Sequence, residues 1–170
     1  VIFNLLFATK IEQKCIGAIK SYYNDDIKFI NKEFIISEDI KSKIENKIKQ
    51  RFYRDKIYYW VIENSEKINY ALLDNSIGKT MPITYLVIFD HNMEVINSSI
   101  ITYRESYGGE VSGKKWLEQF SGMKNGEMYK FGKEIDGISG ATLSASSITK
   151  GINKLSLLLP YIIEDYNKND

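Results

Sequence analysis

The sequence predicts an α+β fold, an antiparallel and hairpin-rich sheet with an N-terminal helical part and a C-terminal helix. Amphipathic helical periodicity occurs near both ends of the chain, and β-prone segments separated by short turns fill the middle. Helices set apart from a run of hairpin-forming strands are typical of this class. With 170 residues, 44% of them hydrophobic, the chain is expected to bury a core as one domain, 1–170.

The first helix is predicted over residues 10–23, where one face carries Ile11, Cys15, Ala18, Ile19 and Tyr22. The sequence Asn24-Asp25-Asp26 is expected to end it. The apolar stretch 1–8 is too short to span a membrane. It fits the tail of a signal or anchor segment, and it fits equally a strand or helix turn packed on the core.

A strand is predicted over residues 27–36, followed by a helix with Ser37 as its N-cap. In that helix apolar residues recur every four positions, at Ile40, Ile44, Ile48 and Phe52. Four further strands are predicted at residues 58–62, 68–73, 83–89 and 95–103. A turn at 64–66, a loop at 74–82 and a hairpin turn at 90–92 are expected to connect them.

Composition and motifs exclude several functions. The net charge is +1 and the cations are scattered, so nothing indicates nucleic-acid binding. The single Cys15 rules out an internal disulfide, a cysteine-ligated iron–sulfur cluster and a haem-attachment motif. The lone His91 has no partner for metal binding or base catalysis. Gly78-Lys79-Thr80 resembles the end of a P-loop, but Leu73 stands where that motif needs its first glycine.

The stretch Asp136-Gly-Ile-Ser-Gly-Ala-Thr142-Leu-Ser144 leads directly into the last helical pattern. That pattern carries Ile148, Ile152, Leu155 and Leu159 on one face. A helix N-terminus offers free N–H groups and a positive dipole end, which favour a phosphate. The alternative is a glycine turn followed by an ordinary Ser, Thr or Asp helix cap.

This stretch resembles the flavinylation motif of the FMN-binding domain family, in which the Thr closing Ser-Gly-Ala-Thr carries FMN through a phosphoester bond. That family includes the FMN-carrying subunits of the sodium-pumping quinone reductase and of the Rnf complex. The resemblance extends over residues 83–160, the FMN-binding core, and leaves 1–82 as an N-terminal helix and strand portion.

A second stretch, Tyr103-Arg-Glu-Ser-Tyr-Gly-Gly-Glu-Val111, resembles the loop that lies against the isoalloxazine ring in this family. The respiratory subunits have Pro where this chain has Tyr107, so the loop is more similar to stand-alone FMN-binding proteins. Trp116 lies at helical spacing from Phe120, which also fits plain core packing. The resemblance implies cofactor contacts from Glu105, Ser106, Tyr107, Gly108, Gly109, Trp116, Asp136, Ser139, Gly140, Ala141, Thr142 and Ser144.

The resemblance implies an electron-carrier flavoprotein, with FMN attached to Thr142 by a separate FAD:protein FMN transferase. It also implies redox partner proteins, including a membrane electron-transfer complex, and a location on the extracytoplasmic side of a bacterial membrane. No Gly-x-Gly-x-x-Gly signature for a nicotinamide donor occurs, which favours a carrier over a self-contained oxidoreductase. Two alternatives remain: reversible FMN binding, and a secreted binding module without a cofactor.

Overall fold

The computed structural model describes residues 2–23 and 26–169, and of residues 2–9 it describes the backbone only. Four helices and five strands form the fold in the order α1 (Ile2–Tyr22), β1 (Lys28–Ile35), α2 (Glu38–Ile48), β2 (Lys56–Asn64), β3 (Lys67–Ile77), β4 (Pro82–Phe89), β5 (Val95–Thr102), α3 (Lys114–Leu117) and α4 (Thr142–Asn169). Short 3-10 turns at Gly109–Ser112 and Glu118–Phe120 flank α3. The α+β prediction is therefore confirmed.

The five strands form one antiparallel sheet in the order β1-β2-β3-β4-β5. Each strand pairs with its neighbour in sequence, with Leu72 opposite Val87 at the centre of the sheet. The β3–β4 turn therefore lies at one end of the sheet, and the β2–β3 and β4–β5 turns lie at the other.

Both faces of the sheet are covered, because side chains alternate between them along each strand. On one face Val61 and Leu72 join a large core with α2 and α4. On the other face Trp60 and Ile62 join a smaller core under α1, with Cys15 and Ile19. In α4 the predicted stripe is completely buried: Ile148, Ile152, Leu155 and Leu159.

The helices at the N-terminal end differ from prediction in three details. The first helix begins at Ile2 rather than residue 10, and its expected break at Asn24 and Asp25 lies outside the described residues. Tyr22 was assigned to the buried face, but it is 43% exposed. The helix after Ser37 ends at Ile48 with Lys49 in the left-handed conformation, so Phe52 is buried but lies beyond the helix.

The predicted loop over residues 74–82 is wrong at both ends. Strand β3 continues through Asp74 to Ile77, and Pro82 is already the first residue of β4. Polar residues at the end of β3 form an ion pair and a hydrogen bond that the sequence alone does not predict. Asp74 forms a buried ion pair with Lys154 of α4 at 2.8 Å, and Asn75 accepts a hydrogen bond from Thr84.

Local signals at two other sites are confirmed. The Ser37 hydroxyl accepts the Ile40 N–H and caps α2. At the β4–β5 turn, one carboxylate oxygen of Asp90 accepts the backbone N–H groups of Asn92 and Glu94, each at 2.9 Å. No helix in the described part of the chain is both long and apolar enough to cross a bilayer.

Candidate functional site

The two stretches singled out in the sequence meet at the end of the sheet that carries the β3–β4 turn. They line one concave site, the α4 pocket, with a volume of about 800 Å³. Its walls come from the β3–β4 turn, from the start of α4 and from residues 103–111 after β5, here called the ring-loop segment. The lining residues are Lys79, Thr80, Glu105, Ser106, Tyr107, Gly108, Glu110, Ser139, Gly140, Ala141, Thr142, Leu143 and Ser144.

Thr142 is the first residue of α4, and its side chain is exposed. The carbonyl oxygen of Ala141 accepts the Ala145 N–H at 2.9 Å, which makes Ala141 the capping residue. Alanine has no side-chain acceptor, so the predicted alternative of a Ser, Thr or Asp cap is not found at this position. The N–H groups of the first turn are therefore left for another acceptor, such as a phosphate oxygen.

Gly108 lets the ring-loop segment approach α4 closely. Its φ is +80°, and a Cβ there would lie 2.9 Å from both the Cβ of Ala141 and the hydroxyl of Tyr103. The Tyr103 hydroxyl donates to the Tyr107 carbonyl oxygen at 2.5 Å and lies 3.3 Å from the Ser144 hydroxyl. These contacts fix the two halves of the pocket against each other.

Glu105 was expected to contact the cofactor, and in this structure its carboxylate accepts hydrogen bonds from the β3–β4 turn. It accepts the backbone N–H groups of Thr80 at 2.7 Å and Met81 at 2.9 Å, and the Thr80 hydroxyl at 3.1 Å. The Met81 and Thr80 N–H groups lower the pKa of Glu105 below its usual value. Glu105 therefore holds the β3–β4 turn in place as one wall of the pocket.

Nine of the twelve predicted site residues line the pocket, and Asp136, Gly109 and Trp116 do not. Trp116 is 8% exposed, and its ring packs edge-to-face on Phe120, as the core-packing alternative describes. Its indole N–H donates to the Asp136 carbonyl oxygen at 2.9 Å, and the Asp136 N–H donates to Gln119 at the same distance. The Asp136 backbone is thus anchored, and the residue itself is exposed.

Sequence reasoning missed four lining residues as site members, namely Lys79, Thr80, Glu110 and Leu143. Gly78-Lys79-Thr80 was set aside because the spacing of a P-loop was absent. The segment is instead the β3–β4 turn, where the Gly78 N–H donates to the Met81 carbonyl oxygen at 3.0 Å. A lysine and a threonine at a tight turn were the available signal, but only the folded sheet brings that turn beside α4.

The residues present fit a flavin phosphate. The open first turn of α4 supplies N–H donors, and Lys79 supplies a cation on the facing wall. Tyr107 and Leu143 are 85% and 58% exposed, so each offers apolar surface to a planar ring. The volume lies within the range of about 300–1,000 Å³ usual for small-molecule and cofactor sites.

Comparison with known proteins shows a relative in sequence and solved structures with a similar fold. The chain is 28% identical, over 140 residues, to a subunit of the ion-translocating oxidoreductase complex of Buchnera aphidicola subsp. Acyrthosiphon pisum (strain APS), covering 72% of this chain and 85% of that protein. Its fold is similar to that of a subunit of the Na(+)-translocating NADH-quinone reductase from Parabacteroides distasonis ATCC 8503. The TM-score is 0.59, with 15% identity over 89% of this chain and 91% of the other.

A family match covers the site itself. Residues 78–156 match the FMN-binding domain family, and this range begins at the β3–β4 turn and continues into the middle of α4. It includes every residue that lines the α4 pocket. The resemblance to the FMN-binding domain family predicted from the sequence is therefore confirmed over residues 78–156.

Proposed function

We propose that this chain is a single-domain electron carrier whose FMN is attached through a phosphoester bond to the Thr142 hydroxyl. The observation that carries the proposal is the position of Thr142. It is exposed, it lies at the start of α4, where the capping residue Ala141 has no side-chain acceptor, and it lines a pocket large enough for a cofactor. A phosphate bonded to its side chain would be adjacent to the free N–H groups of the first turn.

Attachment requires a second enzyme, an FAD:protein FMN transferase. The Thr142 oxygen forms a bond to the FMN phosphorus of FAD, the phosphoanhydride bond breaks, AMP leaves with the bonding electron pair, and the hydroxyl proton passes to a base of the transferase. A threonine hydroxyl is a poor nucleophile without an adjacent base. The carboxylate of Glu105 already accepts three hydrogen bonds from the β3–β4 turn, so it is not free for this role. The exposed Asp136 is available for docking the transferase.

The bound flavin supplies one- and two-electron redox chemistry, and the protein supplies its position and surroundings. In this proposal the first turn of α4 and Lys79 hold the phosphate. Tyr107 and Leu143 cover the ring, and Gly108 allows the backbone of the ring-loop segment to approach it. These roles match the chemical character of each wall of the α4 pocket.

The similar proteins support a place in a respiratory electron-transfer chain. One belongs to an ion-translocating oxidoreductase complex, and the other belongs to a Na(+)-translocating NADH-quinone reductase. We infer that this chain exchanges electrons with partner proteins of such a membrane complex. We also infer that it works on the extracytoplasmic side of a bacterial membrane, as the flavinylation motif implies.

Intact mass spectrometry tests the attachment. The protein is incubated with a flavin transferase, FAD and magnesium, and it should gain the mass of one FMN less one water. Thr142→Ala should gain nothing while keeping its circular dichroism spectrum, because the side chain is exposed. Thr142→Ser, which keeps a hydroxyl, is the matched control and should be modified. If no mass is gained but flavin co-purifies and is released on denaturation, binding is reversible and the covalent proposal fails.

A further inference from the structure

A second cavity of about 640 Å³ lies directly beside the α4 pocket. One side consists of residues on a single face of α4, namely Leu143, Ser146, Ser147 and Lys150. The other side consists of the end of α2 and the segment after it, residues 45–53. Leu143 lines both cavities, so any molecule seated over the second cavity contacts the wall of the flavin site.

The second cavity carries an excess of positive charge. Lys49, Arg51 and Lys150 are all exposed on its rim, and in the described part of the chain none of them forms an ion pair. The carboxylate on the same rim, Glu45, accepts the Phe52 N–H at 2.6 Å. Elsewhere surface lysines have acidic neighbours, such as Lys56 with Glu33 at 2.9 Å and Lys168 with Glu164 at 2.6 Å.

Apolar side chains are exposed between and around these cations. The structure describes seven large hydrophobic residues as exposed, and four of them line the two cavities or border the β3–β4 turn: Tyr53, Met81, Tyr107 and Leu143. Tyrosine and arginine are enriched at the energetic centres of protein interfaces. We call these four residues, together with Lys49, Arg51 and Lys150, the basic face.

The segment that presents the cations is held rigidly against α4. The Gln50 side-chain amide donates to the Ser147 carbonyl oxygen at 2.9 Å and to its hydroxyl at 3.1 Å. The buried Lys154 ammonium donates to the Arg51 carbonyl oxygen at 2.9 Å. A surface whose backbone is fixed before binding loses less conformational entropy when a partner docks.

We propose that the basic face is the docking site for a redox protein whose acidic residues surround an apolar patch. Complementary charge steers such a partner and raises its association rate. A second copy of this chain is a poor occupant, because a two-fold contact through this face would set like charges against each other. The proposal rests on the function proposed above and adds to it the surface and the chemical character of the electron partner.

Two triple variants that change the net charge equally distinguish an effect of the basic face from an effect of net charge alone. Lys49→Glu/Arg51→Glu/Lys150→Glu reverses the face. Lys28→Glu/Lys67→Glu/Lys124→Glu reverses three exposed lysines at the end of the sheet that carries the β2–β3 and β4–β5 turns. Neither set includes a residue that lines the α4 pocket, so flavin attachment, checked by intact mass, should be equal in both.

The first measurement does not require flavin. ¹⁵N-labelled protein is titrated with an acidic flavodoxin as the probe, and backbone amide shifts are followed by NMR. The proposal predicts salt-sensitive shifts at residues 49–53, 78–81 and 143–150, present in the control triple variant and absent in the face-reversed variant. Failure of the proposed flavin attachment would leave this result unaffected, so the two proposals fail separately.

The second measurement uses flavinylated protein, chemically reduced and mixed with oxidised flavodoxin in a stopped-flow instrument. At low salt the face-reversed variant should react about tenfold more slowly than the control variant. A neutral quinone should oxidise both at equal rates. Equal flavodoxin rates in the two variants would overturn the proposal, as would amide shifts confined to segments other than 49–53, 78–81 and 143–150. Binding to anionic phosphatidylglycerol vesicles through the same residues, without any response to flavodoxin, would identify a membrane surface instead and would also overturn it.

Discussion

Replacement of Lys154 by methionine tests whether one buried ion pair holds α4 on the sheet. Lys154 is completely buried on α4, and its ammonium lies 2.8 Å from a carboxylate oxygen of Asp74 on β3. The same oxygen lies 3.2 Å from the donor hydroxyl of Tyr85. The ammonium also lies 4.5 Å from the centre of the Phe52 ring. Methionine keeps much of the volume and removes the charge.

At 2.8 Å and an effective dielectric constant of about 20, the Coulomb attraction of the pair is about 6 kcal/mol. Much of that offsets the cost of removing both charges from water. Removing only the lysine leaves the Asp74 carboxylate buried without its counter-charge, which costs about 3–5 kcal/mol. For a chain of this size each kcal/mol corresponds to about 2–4 °C, so the Tm should fall by about 6–20 °C.

The assay is urea unfolding of the wild-type protein, Lys154→Met, Asp74→Asn and the double variant, followed by circular dichroism. The double variant should be about 1–3 kcal/mol more stable than Lys154→Met, since it leaves no uncompensated charge. A loss below about 1 kcal/mol in Lys154→Met, within the range of an exposed ion pair, would refute the reasoning.

Three further perturbations test the pocket and the core. Gly108→Ala should destabilise the fold and reduce flavin uptake, because the new Cβ would lie 2.9 Å from the Cβ of Ala141 at a residue whose φ is +80°. Thermal melting measures the first effect, and intact mass measures the second. Cys15 should resist iodoacetamide at pH 8 until the protein is unfolded, because burial, with a smaller contribution from Glu12, raises its pKa to about 12. The Glu105 carboxylate should hold the β3–β4 turn fully at pH values above the ordinary Glu pKa of about 4.3, and it should release the turn as the pH falls through its lowered pKa. The NMR shift of the Thr80 amide, which donates to this carboxylate, measures the release.

Each of these has a matched comparison. Gly109→Ala is the control for Gly108→Ala, because a Cβ at Gly109 meets no atom within 4 Å. Rapid alkylation of Cys15 in the folded protein would contradict the buried position. For Glu105, the Glu105→Gln variant should lose the acidic transition in the Thr80 amide shift. If that transition persists, another group causes it.

The parts of the fold that the sequence predicted well are those fixed by local chemistry. Ser37 caps α2 as its position indicated, and Asp90 closes the β4–β5 turn through its own side chain. The apolar stripe of α4 is buried as its spacing required. At the cap and the turn, neighbouring residues supply both the donor and the acceptor, and in α4 the helical period alone places the apolar residues on one face, so each pattern can be read along the chain.

The candidate site was predictable only in part, and for a different reason. Resemblance to two motifs of the FMN-binding domain family identified the stretch ending in Thr142 and the segment around Gly108, and residues of both line the α4 pocket. The contacts of Glu105 could not be predicted from the sequence, because the N–H groups that it accepts belong to a turn about 25 residues earlier in the chain. Lys79 was not identified as a site residue, because it belongs to that same turn and only the folded sheet brings the turn beside α4.

The sequence by itself determined the order of helices and strands, the start of α4 and the motif that marks Thr142, because these depend on spacing and on residues adjacent along the chain. Only the tertiary structure decided that β3 continues through Asp74, since the partner that makes this possible is Lys154, far away on α4. Only the tertiary structure brought the β3–β4 turn, the ring-loop segment and the first turn of α4 into one pocket. Pairing of buried charges and closure of a cavity depend on distances in space, which residue order does not specify.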